Sequence, residues 1–459
     1  MPRERPIVIV GAGLAGPLLA LLLARRGMPV TLLERRAAPD GKHSADGRSI
    51  NLALSARGIR PLERAGVFDD VKPLLMPMRG RRVHPLSAAS MLHSYGQRPE
   101  EINFAVGRTA LNRVLLAAAE RAGVILRFEQ RCLGLEPDSP ALHCMDERSG
   151  RHFLLDCETV LAADGAGSAV RASLVAAGAS RVRVTPLDHD YKELNLPALG
   201  GAHALEPDAL HIWPRGGFML IALPNPDGTF TLTLFLPRTG APSFAALTGA
   251  QALETFFATQ FPDLEPYRAE LIHSFRHHRQ GRLGTVRVRG WHLRGRALLL
   301  GDAAHTIVPF HGQGMNAAFE DCAVLDTLIE RGGSWPDIYA AFERLRRPSA
   351  AAIAHMALEN YEEMRAGVQS ADFQRRRDLA FALERRFPER FIPRYSMVMF
   401  HPELSYREAR RRGAIQAAII GRLDRERGAG GGIDFDLAER LLQARLPALI
   451  ERDPDAGTG

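Results

Sequence analysis

Residues 6–35, "PIVIVGAGLAGPLLALLLARRGMPVTLLER", leave the chain few ways to begin folding. A short β-branched run meets Gly11, Gly13 and Gly16. A stretch of helical length follows and stops at Gly27, and a second apolar run closes on Glu34. Strand, glycine turn, helix and strand in so short a span form a βαβ unit, with parallel strands and a right-handed crossover. In such a unit the first glycine permits a tight turn, the second lets backbone approach a diphosphate, and the third lets helix pack closely on strand. The diphosphate would rest on the helix N-terminus, where free N–H groups and the positive dipole end converge. Glu34 ends the second strand, where a carboxylate accepts hydrogen bonds from an adenosine ribose and repels a 2′-phosphate. The expected ligand is therefore FAD or NAD, not NADP.

Further along, "RTALNRVLLAAAERA" (108–122) reads as a helix, and "VILRF" and "TVLAADGAGSAVR" as later strands of the same lobe. Between about 182 and 290 the period changes to 2, with "HIWP", "GFMLIALP" and "TFTLTLFLP" as strands. The last two are split by the turn Asn225-Pro226-Asp227-Gly228. Beyond Arg344 helical patterns dominate, and "RGAGGG" (427–432) reads as a flexible joint. The predicted fold class is α/β: a Rossmann-like FAD-binding domain (1–75, 100–181 and 291–345), an inserted antiparallel β-sheet substrate domain (76–99 and 182–290), and a C-terminal helical region (346–459). A length of 459 residues accommodates two or three such lobes.

The net charge of +7 does not mark a nucleic-acid face, because basic residues are scattered in short clusters such as Arg375–Arg377 and Arg410–Arg412. Lys42, Lys72 and Lys192 are the only lysines among 59 basic residues, which reads as codon bias. Cys132, Cys144, Cys157 and Cys322 are too far apart for a CxxC motif, and His277-His278 lack metal-ligand spacing. No metal is expected. Neither a leader sequence nor a membrane span is apparent, and the C-terminal stretch is charged throughout. A soluble, cytoplasmic protein is expected, with a homodimer as the one assembly considered.

"LLLGDAAHTIVPFHGQGMN" (298–316) separates FAD from NAD. Asp302 is a second acid after an apolar strand, which a plain NAD enzyme does not need; FAD has a ribityl chain whose hydroxyls such a carboxylate can bind. "GQGMN" then opens a helix, bringing Gly314, Met315 and Asn316 to its positive dipole end. Reduced flavin gathers negative charge near N1 and the C2 carbonyl, where that helix end stabilises it. "ADGAGSAVR" (163–171) adds Asp164-Gly165 and Arg171 after another apolar strand.

In this order, the GxGxxG, DG and GD elements resemble the flavoprotein aromatic hydroxylases. In that family the DG stretch serves both FAD and NADPH, and no separate domain binds the nicotinamide; no second GxGxxG follows a strand here. Within it the chain resembles the kynurenine 3-monooxygenases, through "GRSINLALS" (47–55), "YKELNLP", "LHIWPR", "LLLGDAAHTIVPFHGQGMNAAFEDC", "NYEEMR" and "FIPRYSMVMF". The resemblance implies a bound FAD, NADPH and O₂ as co-substrates, and an aromatic amino acid substrate. L-kynurenine would become 3-hydroxy-L-kynurenine through a C4a-hydroperoxyflavin; the alternative is a related hydroxylase of another aromatic acid.

By the same resemblance Arg81 and Tyr95 bind the substrate carboxylate, a guanidinium fork matching it in two hydrogen bonds. Asn360 and Tyr395 are further substrate contacts. FAD contacts fall on Ala15, Glu34, Ala53, Arg108, Cys132 (through its backbone), Asp302, Pro309, Met315 and Asn316. No catalytic side chain is implied, since the cofactor carries the hard chemistry. His311 stands where some members have phenylalanine and is expected to shape the pocket. Membrane-anchored eukaryotic members continue into an apolar C-terminal segment, whereas this sequence ends in charged residues, as a soluble bacterial form would. A flavin-binding redox sensor without turnover and a basic nucleic-acid-binding module are the readings from other classes.

Overall fold

The computed structural model describes residues 5–39, 51–136, 139, 141–367, 371–427 and 431–449. Residues 47–50 of the first family string and 428–430 of the glycine-rich joint lie outside them. Ile7–Val10 is buried along its whole length, as a parallel strand covered on both faces must be. It pairs in parallel with Val30–Leu33 on one side and Val160–Ala162 on the other. The sheet extends to Ile125–Arg127 beyond the first neighbour and to Ala297–Leu299 beyond the second, again in parallel. Only His292–Leu293, at the outer edge, runs antiparallel.

One consequence of this strand order is that motifs far apart in sequence meet on one rim. Across the C-terminal ends of four neighbouring strands lie Gly301-Asp302, Asp164-Gly165, the Gly11–Gly16 loop and Glu34. Ligands of open parallel sheets bind at such an edge. The helix Ala15–Arg25 sits tight against the first strand, since a Cβ at Gly16 would lie 1.9 Å from the Gly11 carbonyl oxygen.

The second sheet has eight strands, from His305–Thr306 through Gly281–Arg289, Arg181–Leu196, Phe230–Pro237, Met219–Pro224, Ala209–Pro214 and Gly80–Val83 to Met91–Ser94. The predicted strands and the Asn225–Gly228 turn are present, but the sheet is not purely antiparallel: Gly80–Val83 pairs in parallel with Ala209–Pro214. The chain enters this strand from the other lobe rather than through a hairpin, so its direction is free. Nor is the region all sheet, because helices Ala250–Gln260 and Arg268–His277 cover one face. Alternation explains the two faces: Leu220, Ala222, Leu232 and Leu234 pack on those helices, while Met219, Ile221, Thr233 and Phe235 face a cavity.

The helices beyond Arg344 begin earlier than the sequence suggests, as one helix, Trp335–Glu362, crosses that position. Five residues of π-helix follow, Glu363–Gly367. The helices Arg394–Met399 and Tyr406–Arg427 return to the cofactor lobe, where a buried ionic network receives them. At its centre, Asp321 has no solvent exposure. Its Oδ2 accepts the backbone N–H of Gly301 at 2.9 Å and pairs with His305 Nε2 at 2.6 Å, and its Oδ1 accepts from Arg346 Nε at 2.7 Å. Glu320 bridges Arg346 to Arg57 at 2.6 and 2.9 Å. Arg57 in turn donates to the carbonyls of Val398 and Met397 at 2.7 and 3.0 Å and lies 4.2 Å from the Tyr406 ring.

Burial pushes the Asp321 carboxyl up, but His305 and Arg346 overcome it and hold it down to about 2. A depressed carboxyl stabilises the fold above its ordinary pKa, and that contribution is lost as pH falls toward 2. Asp321→Asn leaves Arg346 short of a partner and is expected to cost about 3–5 kcal/mol at neutral pH. Urea unfolding checks this as a lower midpoint, with the gap to the parent narrowing as pH drops below about 4.

Candidate active site

The rim of the parallel sheet and the inner face of the eight-stranded sheet enclose a cavity of about 410 Å³. Gly13, Ala15, Arg108, Gly165, Asp302, Gly314 and Met315 line one end, and Arg81, Tyr95, Asn103 and Tyr395 line the other. Ala53, Pro309 and His311 also belong to its wall.

The first end fits FAD. A Cβ at Gly13 would meet no atom within 4 Å, so this position opens onto space a ligand can fill. Both helices that start here, Ala15–Arg25 and Gly314–Glu330, lack a side-chain cap, so their first N–H groups are left for a ligand. Asp302 and Pro309 are exposed by area while forming part of the cavity wall. Enclosure by the concave wall, where its open face looks into the cavity rather than bulk solvent, raises the Asp302 carboxyl against the pull of His305 and Arg108.

Other residues expected to contact the cofactor support this end from behind, and are not in the wall. Gly11 and Gly16 set the turn. Glu34 Oε2 accepts the Ala12 N–H at 3.0 Å, and its Oε1 accepts from Arg36 backbone N and Nε, each at 3.0 Å. Burial opposes ionisation of Glu34, but these bonds lower its pKa. Asp164 Oδ2 accepts the Ala169 N–H at 2.8 Å, leaving Gly165 to face the cavity. Arg171 ties the DG loop to the GD loop by donating to the carbonyls of Ala166 and Ala303, the latter at 2.9 Å. Asn316 is fully buried: its Nδ2 donates to Ala53 O and Gly312 O at 2.9 and 2.8 Å, while Oδ1 accepts the Ser55 N–H at 3.0 Å. Cys132 is half-buried on Gln130–Leu135, its thiol raised by burial, and is not in the wall.

Sequence reasoning missed Asn112, whose Nδ2 donates to the carbonyls of Ala12 and Gly13 at 3.0 Å each. Its spacing was the available signal, because Asn112 lies one helical turn after Arg108 and so shares its face. Gln313, which the sequence places in the "GQGMN" opening of the helix, is buried and instead joins the start of Gly314–Glu330 to the C-terminal helices. The Tyr406 hydroxyl donates to Gln313 Oε1 at 2.7 Å, and Gln313 Nε2 lies 3.0 Å from Met399 Sδ.

At the other end three expected substrate contacts converge. The Arg81 guanidinium lies 4.6 Å from the Tyr395 ring and 5.8 Å from that of Tyr95, and the two rings stack at 5.5 Å. Burial opposes the Arg81 charge, but the two phenols and Glu363 more than restore it, and the pKa is raised. Burial also raises both tyrosines, so they remain hydroxyl donors. Arg81 Nε is buried and has no partner among the described residues. Asn360 is not in the wall: its Nδ2 donates to the Phe310 carbonyl at 2.6 Å, supporting the Pro309–His311 turn. His277 stacks on His273 at 4.1 Å, and His278 Nδ1 meets the Glu193 carbonyl at 2.9 Å. Among the described residues no cluster of three ligating side chains could hold a metal, and no helix is long and apolar enough to cross a membrane.

Comparison with known proteins agrees with this geometry. A family model described as FAD binding domain matches residues 4–357. Kynurenine 3-monooxygenase of Xanthomonas axonopodis pv. citri (strain 306) is 45% identical over 447 residues, covering 97% of this chain and 98% of the relative. That of Stenotrophomonas maltophilia (strain K279a) is 45% identical over 448 residues, with the same coverage. This chain belongs to the kynurenine 3-monooxygenase family. As a member of that family it is an FAD-dependent flavoprotein monooxygenase. Solved structures share the fold at lower identity. A mutant of 2-methyl-3-hydroxypyridine-5-carboxylic acid oxygenase has a TM-score of 0.65 at 22% identity, covering 81% of this chain and 96% of its own. Tetracycline destructase Tet(51) has a TM-score of 0.60 at 16% identity, covering 83% and 96%.

The structure shows what the His311 ring does. It is buried and stacks on Tyr395 at 5.5 Å and 15°. Burial, with Arg81 nearby, pushes it down to about 3, so it is neutral across the physiological range. His311→Phe is therefore expected to leave the shape of the kcat/KM profile between pH 6 and 9 unchanged; a lost inflection in that range would reveal a titrating role.

Proposed function

We propose that the chain hydroxylates L-kynurenine to 3-hydroxy-L-kynurenine, consuming NADPH and O₂. The observation that carries this reading is Arg81, a half-buried cation whose Nε is buried and unpartnered among the described residues, set beside two stacked phenols at the end of the cavity away from the FAD loops. FAD, when bound, would carry the electrons of NADPH to O₂, one atom of which enters the substrate ring while the other leaves as water. Its support comes from the uncapped helix Gly314–Glu330, the Gly13 turn and Asp302.

The remaining work is positioning. Arg81 takes the substrate carboxylate, and the Tyr95 and Tyr395 hydroxyls supplement it with further donors. Met219, Ile221, Leu223 and Phe235 give the aromatic ring an apolar bed and keep water from it. The substrate's own aniline nitrogen feeds electron density to the ortho carbon, so no protein base is required; holding that carbon in place accounts for the pocket's contribution. Neutral His311 and its Tyr395 stack shape the same wall. Another aromatic acid would use the same cofactor machinery, and a substrate panel separates the two readings. A cytoplasmic setting is supported by four free cysteines, and size-exclusion chromatography tests the homodimer.

With L-kynurenine, NADPH and oxygen, the product identified by mass spectrometry should be the 3-hydroxylated amino acid; NADPH consumption stimulated only by other aromatic acids would defeat the reading. Arg81→Ala should raise KM about 10- to 100-fold, the range for a charged hydrogen bond, while the purified protein keeps its flavin.

A further inference from the structure

Arg81 accounts for a carboxylate, but the same end of the cavity holds an acceptor that a carboxylate cannot satisfy. Asn103 is 1% exposed, lies on the strand Asn103–Gly107, and lines the cavity. Its Nδ2 donates to Tyr395 Oη at 3.4 Å. Its carbonyl Oδ1 is buried with no partner among the described residues. An unpaired buried acceptor carries a desolvation cost that a donating ligand removes. Through Tyr395 it is joined to the Arg81 cluster, the guanidinium lying 4.6 Å from that ring.

We propose that Asn103 is a specificity-determining residue whose Oδ1 accepts a hydrogen bond from the α-ammonium group of the substrate. This rests on the reading of Arg81 as the carboxylate anchor. In an α-amino acid the ammonium sits on the carbon that bears the carboxylate, so a carboxylate on Arg81 brings it beside Asn103. Arg81 Nε lacks an acceptor and Asn103 Oδ1 lacks a donor, and the two ends of one amino acid head group supply both. Two other acceptors in the wall are placed less well. Asn51 is anchored away from the tyrosines by Nδ2 bonds to Pro224 O at 3.0 Å and Asn225 Oδ1 at 2.8 Å. Glu193 lies on Arg181–Leu196, which three strands of the sheet separate from the strand bearing Arg81. The pocket thus reads both charges of an amino acid, and distinguishes it from an aromatic acid of the same length without the amino group.

The test compares L-kynurenine with its des-amino analogue, 4-(2-aminophenyl)-4-oxobutanoate, in the FAD-loaded enzyme. Both kcat/KM for hydroxylation and Kd from flavin absorbance titration are measured. The parent should favour the amino acid about 10- to 100-fold, as expected of one hydrogen bond to a charged group. Asn103→Leu should abolish the preference by weakening only the amino acid, with flavin content unchanged. Should that variant lose flavin, Asn103→Ser serves in its place, shortening the side chain and predicting the same loss. Equal handling of the two ligands by the parent overturns the proposal. So does a variant that weakens both ligands equally, which would mean that Asn103 merely props Tyr395. A preference lost in Asn51→Leu or Glu193→Gln but kept in Asn103→Leu would assign the ammonium elsewhere. Failure of the kynurenine reading looks different: neither ligand is hydroxylated, while the Kd comparison still decides the role of Asn103.

Discussion

A carboxylate sealed from solvent, Asp321, sets the geometry on which the site depends. Three different elements use its two oxygens: the Gly301 N–H, His305 and Arg346. Each would be costly to leave unpaired in the interior, so the loop bearing Asp302 and the helix bearing Met315 and Asn316 are fixed relative to each other. Through Glu320 and Arg57 the same network reaches Met397, Val398 and Tyr406. The C-terminal helices, which carry Tyr395 into the substrate end, are thereby held against the cofactor end. Alignment of two ligands is thus set by ion pairs that touch neither.

The cavity is divided by chemistry. Donors gather where phosphate, ribityl and flavin charge would lie, through two helix N-termini and the Arg108 guanidinium. The substrate end uses one guanidinium in an aromatic cage. Between them the sheet face is mostly apolar, which suits an aromatic ring and removes competing water. His311 fits this division: burial keeps it uncharged, and its ring extends the Tyr95–Tyr395 stack.

Much of the cofactor lobe was legible in the sequence because glycine and apolar runs are local signals with few solutions. Gly16 abuts the Gly11 carbonyl, and Gly13 faces open space, as the spacing required. The helices Ala250–Gln260 and Arg268–His277 were missed because their neighbours read so plainly as strands. The substrate end was visible only through family resemblance. Nothing local distinguishes Arg81 from Arg79 or Arg82; tertiary packing closes two tyrosines, one of them more than 300 residues away, around it. Asn103 gave no signal at all, since an acceptor without a donor exists only once the strand is packed. Glu34, read as a ribose acceptor, also ties the glycine loop to the second strand through Ala12, and no periodicity could have announced that bond.

The parallel entry of Gly80–Val83 into the eight-stranded sheet has an evolutionary meaning. This strand and its antiparallel partner Met91–Ser94 form the sheet's outer margin; Arg81 lies on the first and Tyr95 directly follows the second. Apart from these margin strands, the cavity-facing residues of the sheet come from strands further in, and the cofactor loops come from another sheet altogether. The Arg81 and Tyr95 part of the head-group reader thus lies apart from the cofactor loops, with Tyr395 and Asn103 brought to it from other elements, so descendants could alter preference at the margin and leave the oxygen chemistry inherited intact.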